Sequence, residues 1–165
     1  MQCLGCLGIF PDTSTDPDLS GPTHPYILSA PACWAVYGEV LAREYSNPPL
    51  MRLHKLTVDT YAVQHPGIDV PPARRSVAIH LSRLYHLLER GWPLDRVDAA
   101  MPKVLAQKDQ LPWLTPPSMQ GALTVQSLAA ASPSGHEAAL LAWAQSVWTA
   151  WTPHHPAIRR YCAAL

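Results

Sequence analysis

The sequence predicts an all-α fold, a single domain in which a bundle of five or six helices follows an irregular, proline-rich N-terminal segment. Three observations predict it. Beyond residue 30, apolar residues recur at three- and four-residue spacing, and no stretch alternates with the two-residue period of a strand. Most of the 18 prolines and 8 glycines fall between these periodic stretches, where they end helices. Hydrophobic residues at 48% against 15% charged residues describe a folded chain, and 165 residues is enough to bury one core without staples.

Residues 1–30 have no periodicity: Pro11, Pro17, Pro22 and Pro25 interrupt them, with Asp, Ser, Thr and Gly in the gaps. The first helix is expected over 32–46, with Trp34, Tyr37, Leu41 and Tyr45 at helical spacing, Pro31 in its first turn, and Asn47-Pro48-Pro49 ending it. Glu39 and Arg43 read as a surface pair four residues apart on this helix. A second helix fits 50–65, closed by Pro66-Gly67. A third fits 73–90, closed by Gly91, with the apolar stripe Val77, Leu81, Leu84 and Leu88. Residues 94–108 form a weaker helix interrupted at Pro102. After a loop, Thr124 is placed to cap a short helix. The last long helix starts at Ser134, where Ser134 and Glu137 make a capping box, and runs to Trp151. Trp143, Trp148 and Trp151 on it read as core packing. His154-His155-Pro156 turn the chain into a final short helix over 157–165.

Lys+Arg and Asp+Glu balance at 12 each, so no field draws the chain to nucleic acid or to an anionic membrane. No apolar run approaches the roughly 20 residues of a membrane span. The apolar start MQCLGCLGIF has no Lys or Arg ahead of it and is too short for a secretory signal, so a cytoplasmic location is expected. There is no Gly-rich phosphate loop and no G-x-S-x-G elbow. The expected partners are a small molecule or another protein.

The chemistry-bearing residues are cysteines and histidines. Cys3 and Cys6, two residues apart, suit one zinc ion, and His24 and Cys33 are the nearest candidates to complete a four-ligand structural site. A proline-rich segment without a core of its own needs a cross-link, and a metal supplies one. The blander reading makes Cys3 and Cys6 frayed terminal thiols and Cys33 a small core residue.

A second candidate set lies on the helices. His54, Tyr61 and His65 share one face of the 50–65 helix, but eleven residues separate the two histidines, about 16 Å along the axis, so each needs partners from elsewhere. If the 50–65 and 73–90 helices pair antiparallel, His80 comes level with Asp59 and Tyr61, which makes an Asp59–His80 hydrogen bond possible. With His154 from the last corner, His54, His65 and His80 are candidates for a metal in the bundle core. There Asp59 would orient a ligand or act as base, and Tyr61 would donate a proton. Each of these histidines has the alternative of being a hydrogen-bonded core residue.

Several stretches together resemble a known pattern: Cys3-x-x-Cys6, His24-Pro25-Tyr26 to Cys33-Trp34, HKLTVDTYAVQHPG (54–67), SVAIHLSRLY (76–85), WLTPP (113–117) and WAQSVWTAWTPHH (143–155). They resemble an uncharacterised family of small bacterial proteins, a domain of unknown function. The resemblance implies that these Cys and His positions belong to a shared pattern, and it carries no reaction. The family's first motif usually continues with Gly, where this chain has Leu7 and then Gly8. Three functions stay open: a zinc or other transition-metal enzyme acting on a small molecule through a His/Asp site, a non-catalytic protein-interaction module with a structural zinc, and a helical-bundle metal-dependent transferase. The last suits the fold class and has no motif behind it.

Overall fold

The computed structural model describes residues 1–11, 23–107 and 109–163. Pro17 and Pro22, the expected helix end at Lys108 and the last two residues of the chain lie outside the described residues. The fold is all-α: α1 (Pro31–Tyr45), α2 (Pro48–Met51), α3 (His54–Gln64), α4 (Pro71–Leu84), α5 (Leu94–Ala106), α6 (Val125–Ala129), α7 (His136–Ala150) and α8 (His155–Ala163). No strand forms among the described residues, only two isolated antiparallel bridges, Gln2 with Ile9 and Ile27 with Pro66. Among the described residues, no helix is long and apolar enough to cross a membrane.

Proline opens three of the helices. Pro31, Pro48 and Pro71 stand in the first turns of α1, α2 and α4, where the missing N–H has no carbonyl to find and the fixed φ already suits a helix. The stretch expected as one helix over 50–65 is therefore two pieces, the short α2 and then α3. Past Leu84, α4 widens into a π-turn over Tyr85–Glu89, where the Arg90 N–H reaches the Tyr85 carbonyl at 3.1 Å, and Gly91 at φ +62° ends it. Pro102 sits inside α5 and, although the helix continues through it, remains exposed.

Thr124 caps α6 as expected, its side chain accepting from the Gln126 N–H at 3.3 Å. The start of α7 differs from the sequence reading. Ser132 is the capping residue, accepting from the Gly135 N–H at 3.1 Å, and a 3₁₀ turn over Pro133–Gly135 leads into the helix. Pro133 is preset for a first helical position, so the cap moves to the residue before it. Glu137, freed from the box, pairs with Arg52 beyond α2. Arg43 leaves its expected partner too: its guanidinium donates to the carbonyls of Leu128, Ala129 and Ala131, where α6 ends with its acceptors exposed.

α3 is the axis of the molecule. It packs on α1, α4 and α7, and from Leu56 to Gln64 only Val58 escapes full burial. Trp143 and Trp151 are fully buried and Trp148 nearly so, and their indoles hold the end of α3: Trp143 Nε1 donates to Gln64 Oε1 at 2.9 Å and Trp151 Nε1 to the Val63 carbonyl at 3.0 Å. Near its start, the fully buried Glu44 of α1 accepts from the Thr57 hydroxyl at 2.5 Å, lies 2.8 Å from His136 Nε2 and 3.2 Å from His54 Nδ1. A smaller apolar cluster of Ala78, Val97, Met101, Val104 and Leu111 joins α5 to the outer face of α4.

Because Glu44 satisfies the buried Thr57 and His136 and the half-buried His54 at once, Glu44→Ala is expected to lower unfolding free energy by about 3–5 kcal/mol, the usual cost of stripping one member from a buried polar pair. Urea denaturation followed by circular dichroism checks this. A loss under about 1 kcal/mol would mean that water replaces the carboxylate without penalty.

Candidate metal centre

The first ten residues fold back on themselves into a knuckle. The Cys3 N–H donates to the Gly8 carbonyl at 2.9 Å and the Leu7 N–H to the Cys3 carbonyl at 2.9 Å, so both thiols point to the inside of one tight turn. The turn needs a left-handed residue, and Leu7 takes that role at φ 61°. A side chain at this φ costs backbone strain, and the turn forms all the same. The free N-terminal ammonium and the Phe10 carbonyl close the knuckle at 2.8 Å, and Phe10 itself is buried.

The knuckle lies on the C-terminal end of α3. Residues 27 and 28 run beside the helix exit: Leu28 N–H donates to the His65 carbonyl at 3.0 Å and Ile27 bridges to Pro66. Gly5 has no room for a side chain, since a Cβ there would stand 2.5 Å from the His65 ring and closer still to the Leu28 carbonyl. Gly67 is as tight, with the Tyr26 carbonyl 2.6 Å from where its Cβ would be.

These contacts bring Cys3, Cys6, Cys33 and His65 together, all buried, with their ligand atoms within 4.8 Å of one another. The Cys6 and Cys33 sulfurs are 3.9 Å apart, and Cys33 Sγ is 3.3 Å from His65 Nε2. All four cysteines of the chain, Cys162 included, are free. A tetrahedral ion with metal–sulfur bonds of about 2.3 Å and a metal–nitrogen bond of about 2.0 Å needs S···S edges of about 3.8 Å and S···N edges of about 3.5 Å. The donor set therefore has the size of a four-coordinate site.

Its electronics agree with its size. His65 Nδ1 is 2.9 Å from the Tyr61 carbonyl, which only accepts, so Nδ1 carries the proton and Nε2 presents a lone pair to the sulfurs. The Ala30 N–H donates to Cys3 Sγ at 3.4 Å. Hydrogen bonding from Cys33, then from Cys6, holds the Cys3 thiol far below the usual thiol range despite its burial. The hydrogen bond to Cys3 pushes Cys6 up to about 11, and Cys33 rises further for the same first reason. Three thiols this close ionise together only if a cation replaces the protons between them.

The sequence reading placed His24 fourth with the three cysteines. His65 occupies that position, because pairing of residues 27 and 28 with 65 and 66 carries the helix end to the thiols. His24 instead packs edge-on against Tyr26, ring centroids 4.1 Å apart, and its Nδ1 has no hydrogen-bond partner among the described residues. The histidines proposed for a bundle-core site are not brought together either. His54 lies between Glu44 and the Tyr45 hydroxyl, and His154 Nε2 donates to the Thr115 carbonyl at 2.7 Å. His80 Nδ1 meets Asp59 Oδ1 at 2.8 Å, the hydrogen bond that antiparallel pairing of the helices made possible. Asp59 Oδ2 accepts from Arg83 Nε at 2.7 Å, and Arg83 continues to Asp98 at 2.7 Å. Both Asp59 oxygens are thus engaged. The Tyr61 hydroxyl faces Ser29 Oγ at 2.5 Å and Cys33 Sγ at 3.4 Å, and burial first of all pushes its pKa well above the usual phenol range. Asp59 and Tyr61 point to different neighbours. The buried Glu44–His136 pair went unseen in the sequence, where nothing marks Glu44 apart from the surface glutamates.

The fully assembled donor set spans residues 3 to 65, and comparison with known proteins covers it whole. The chain belongs to the family of unknown function DUF5946. The family match runs over residues 1–152, which takes in all four residues of the candidate metal centre and ends before α8. No curated protein and no solved structure matches the chain. DUF5946 membership brings no reaction with it, so the function of this member rests on its own geometry.

The tight seat of the knuckle is measurable. Gly5→Ala is expected to lower the melting temperature by several degrees, because the obstacle is backbone and a clamped ring. Gly38→Ala, on an exposed stretch of α1 with nothing within 4 Å of its Cβ position, should raise stability by about 1 kcal/mol. Differential scanning calorimetry of both variants checks the contrast. Equal and small shifts would mean that the knuckle is not seated on His65 in solution.

Proposed function

We propose that Cys3, Cys6, Cys33 and His65 hold one zinc ion in a closed tetrahedral site, and that this ion staples the N-terminal knuckle to the helical bundle. The observation that carries the reading is the convergence of four buried donors at tetrahedral spacing, with the His65 tautomer already set by the Tyr61 carbonyl. Three soft thiolates and one imidazole select zinc over the hard cations magnesium and calcium.

Four protein ligands leave no open position for water or substrate, which favours a structural role over a catalytic one at this centre. The cost of closing the segment from residue 6 to residue 33 is then met by metal–ligand bonds, since the knuckle contributes few large apolar side chains of its own. The metalloenzyme reading through His54, His80 and His154 has no gathered ligand set to support it, and the histidine triad of a bundle transferase has none among the described residues. The non-catalytic reading with a structural zinc is therefore the one the geometry favours.

Elemental analysis of the untagged protein tests the proposal. About one zinc per chain is expected, lost in Cys33→Ser and in His65→Ala and unchanged in His24→Ala. A folded wild-type protein that carries no metal and binds none on reconstitution would overturn it, as would a metal content that survives both ligand changes. Acidification should release the ion, because protons compete for the three thiolates and the imidazole. The sign is fixed: occupancy falls as pH falls, and metal release read with a chromogenic chelator should coincide with loss of near-ultraviolet circular dichroism from the aromatic residues around Tyr61.

A further inference from the structure

Away from the four metal ligands, polar side chains converge on a second place. Segment 24–27 and helices α1, α3 and α4 enclose a slot of about 220 Å³. It shares Tyr26, Ser76 and His80 with an outer recess of about 320 Å³, whose rim adds Arg75. The inner walls are aromatic. Tyr37 and Tyr61 stack with centroids 3.9 Å apart, and Trp34 tilts against them at 5.3 and 5.8 Å.

The polar groups sit at the neck between the two spaces. His80 donates from Nδ1 to Asp59 Oδ1 at 2.8 Å, so its Nε2 presents a lone pair on a side chain that lines both cavities and is not itself a donor for an anion. Asp59 is buried and compensated by Arg83, so it fixes the His80 ring and adds no net negative charge to the neck. His24, whose buried Nδ1 lacks a partner among the described residues, lines the inner slot. Arg75 is partly exposed at the rim, where its Nε donates to the Pro71 carbonyl at 3.2 Å and lies 3.6 Å from Asp109, and its terminal NH2 groups are the donors it can offer a ligand. Among the described residues, no aspartate or glutamate lines either space. Aromatic walls alone would suit a cation as well as a ring. The mouth adds the Ser76 hydroxyl and the Arg75 guanidinium as donors, and these favour an anion.

We propose that this slot binds a small single-ring aromatic carboxylate, with the ring on the Trp34–Tyr37–Tyr61 wall and the carboxylate held by Ser76 and Arg75 at the mouth. Size sets the ring count. A cavity of about 150 Å³ admits benzene, so the inner slot takes one substituted ring. The recess outside gives the carboxylate its place, and hydrophobic walls with a few convergent polar groups are the usual composition of a small-molecule site. None of the groups assigned to the carboxylate is a ligand of the metal centre, so this proposal stands or falls separately from the zinc reading.

Benzoate is the probe. Titrated into the protein as purified, it is expected to shift the His80 ring resonances and the Trp34 fluorescence saturably, with a dissociation constant of about 1 mM or tighter. Arg75→Ala should weaken binding about tenfold. Benzylamine, the same size with the opposite charge, should not compete. Absence of saturable change up to about 10 mM would overturn the proposal. So would benzoate affinity unchanged in Arg75→Ala, a rim substitution that leaves the core intact, or competition by benzylamine as strong as benzoate's own binding.

Discussion

The structure depends on one constraint: α3 is surrounded on all sides and yet is not apolar. Thr57, Asp59, Thr60 and Gln64 are buried along it, and each buried polar group must be satisfied or cost stability. Every neighbour therefore brings a specific complement. Glu44 comes from α1 for Thr57, and His80 and Arg83 come from α4 for Asp59. Gln64 takes the Trp143 indole from α7 and donates to the Leu123 carbonyl. Thr60 returns its hydroxyl to the Leu56 carbonyl of its own helix. Apolar packing would allow these helices to slide past one another, whereas such pairs hold one register.

The same helix organises the metal centre and the aromatic slot. Tyr61 is sandwiched between Tyr37 and His65, at centroid distances of 3.9 and 4.0 Å. One neighbour of that stack forms the slot wall, and the other presents its nitrogen to the three thiols. The Tyr61 carbonyl also fixes the His65 tautomer. The imidazole beside the thiols and the ring that lines the slot are thereby in direct contact.

Sequence reasoning reached parts of the site and missed others for identifiable reasons. The grouping of Cys3, Cys6 and Cys33 was legible because two thiols in a turn and a third in the same coreless segment can share one ion, an expectation weighed against frayed terminal thiols. The structure puts His65 and not His24 with them because His24 is near in sequence and His65 is near in space. Only the hydrogen bonds of residues 27 and 28 with the helix exit bring His65 in, and the spacing of residues does not encode them. The Asp59–His80 bond was foreseeable because antiparallel neighbours set the levels of their residues. The Glu44–His136 pair joins residues ninety-two apart, and no local pattern announces it.

By itself, the sequence determined the all-α class, most helix limits, the Thr124 cap and the burial of the tryptophans. Each follows from local terms: apolar period, fixed φ at proline, and side-chain bonds to nearby N–H groups. Tertiary structure decided what those terms leave open. It chose Ser132 over Ser134 at the start of α7, sent Arg43 to the end of α6 and put His65 with the thiols. These outcomes rest on which distant groups meet when a polar helix must be buried, a property of the assembled bundle that no short window of residues contains.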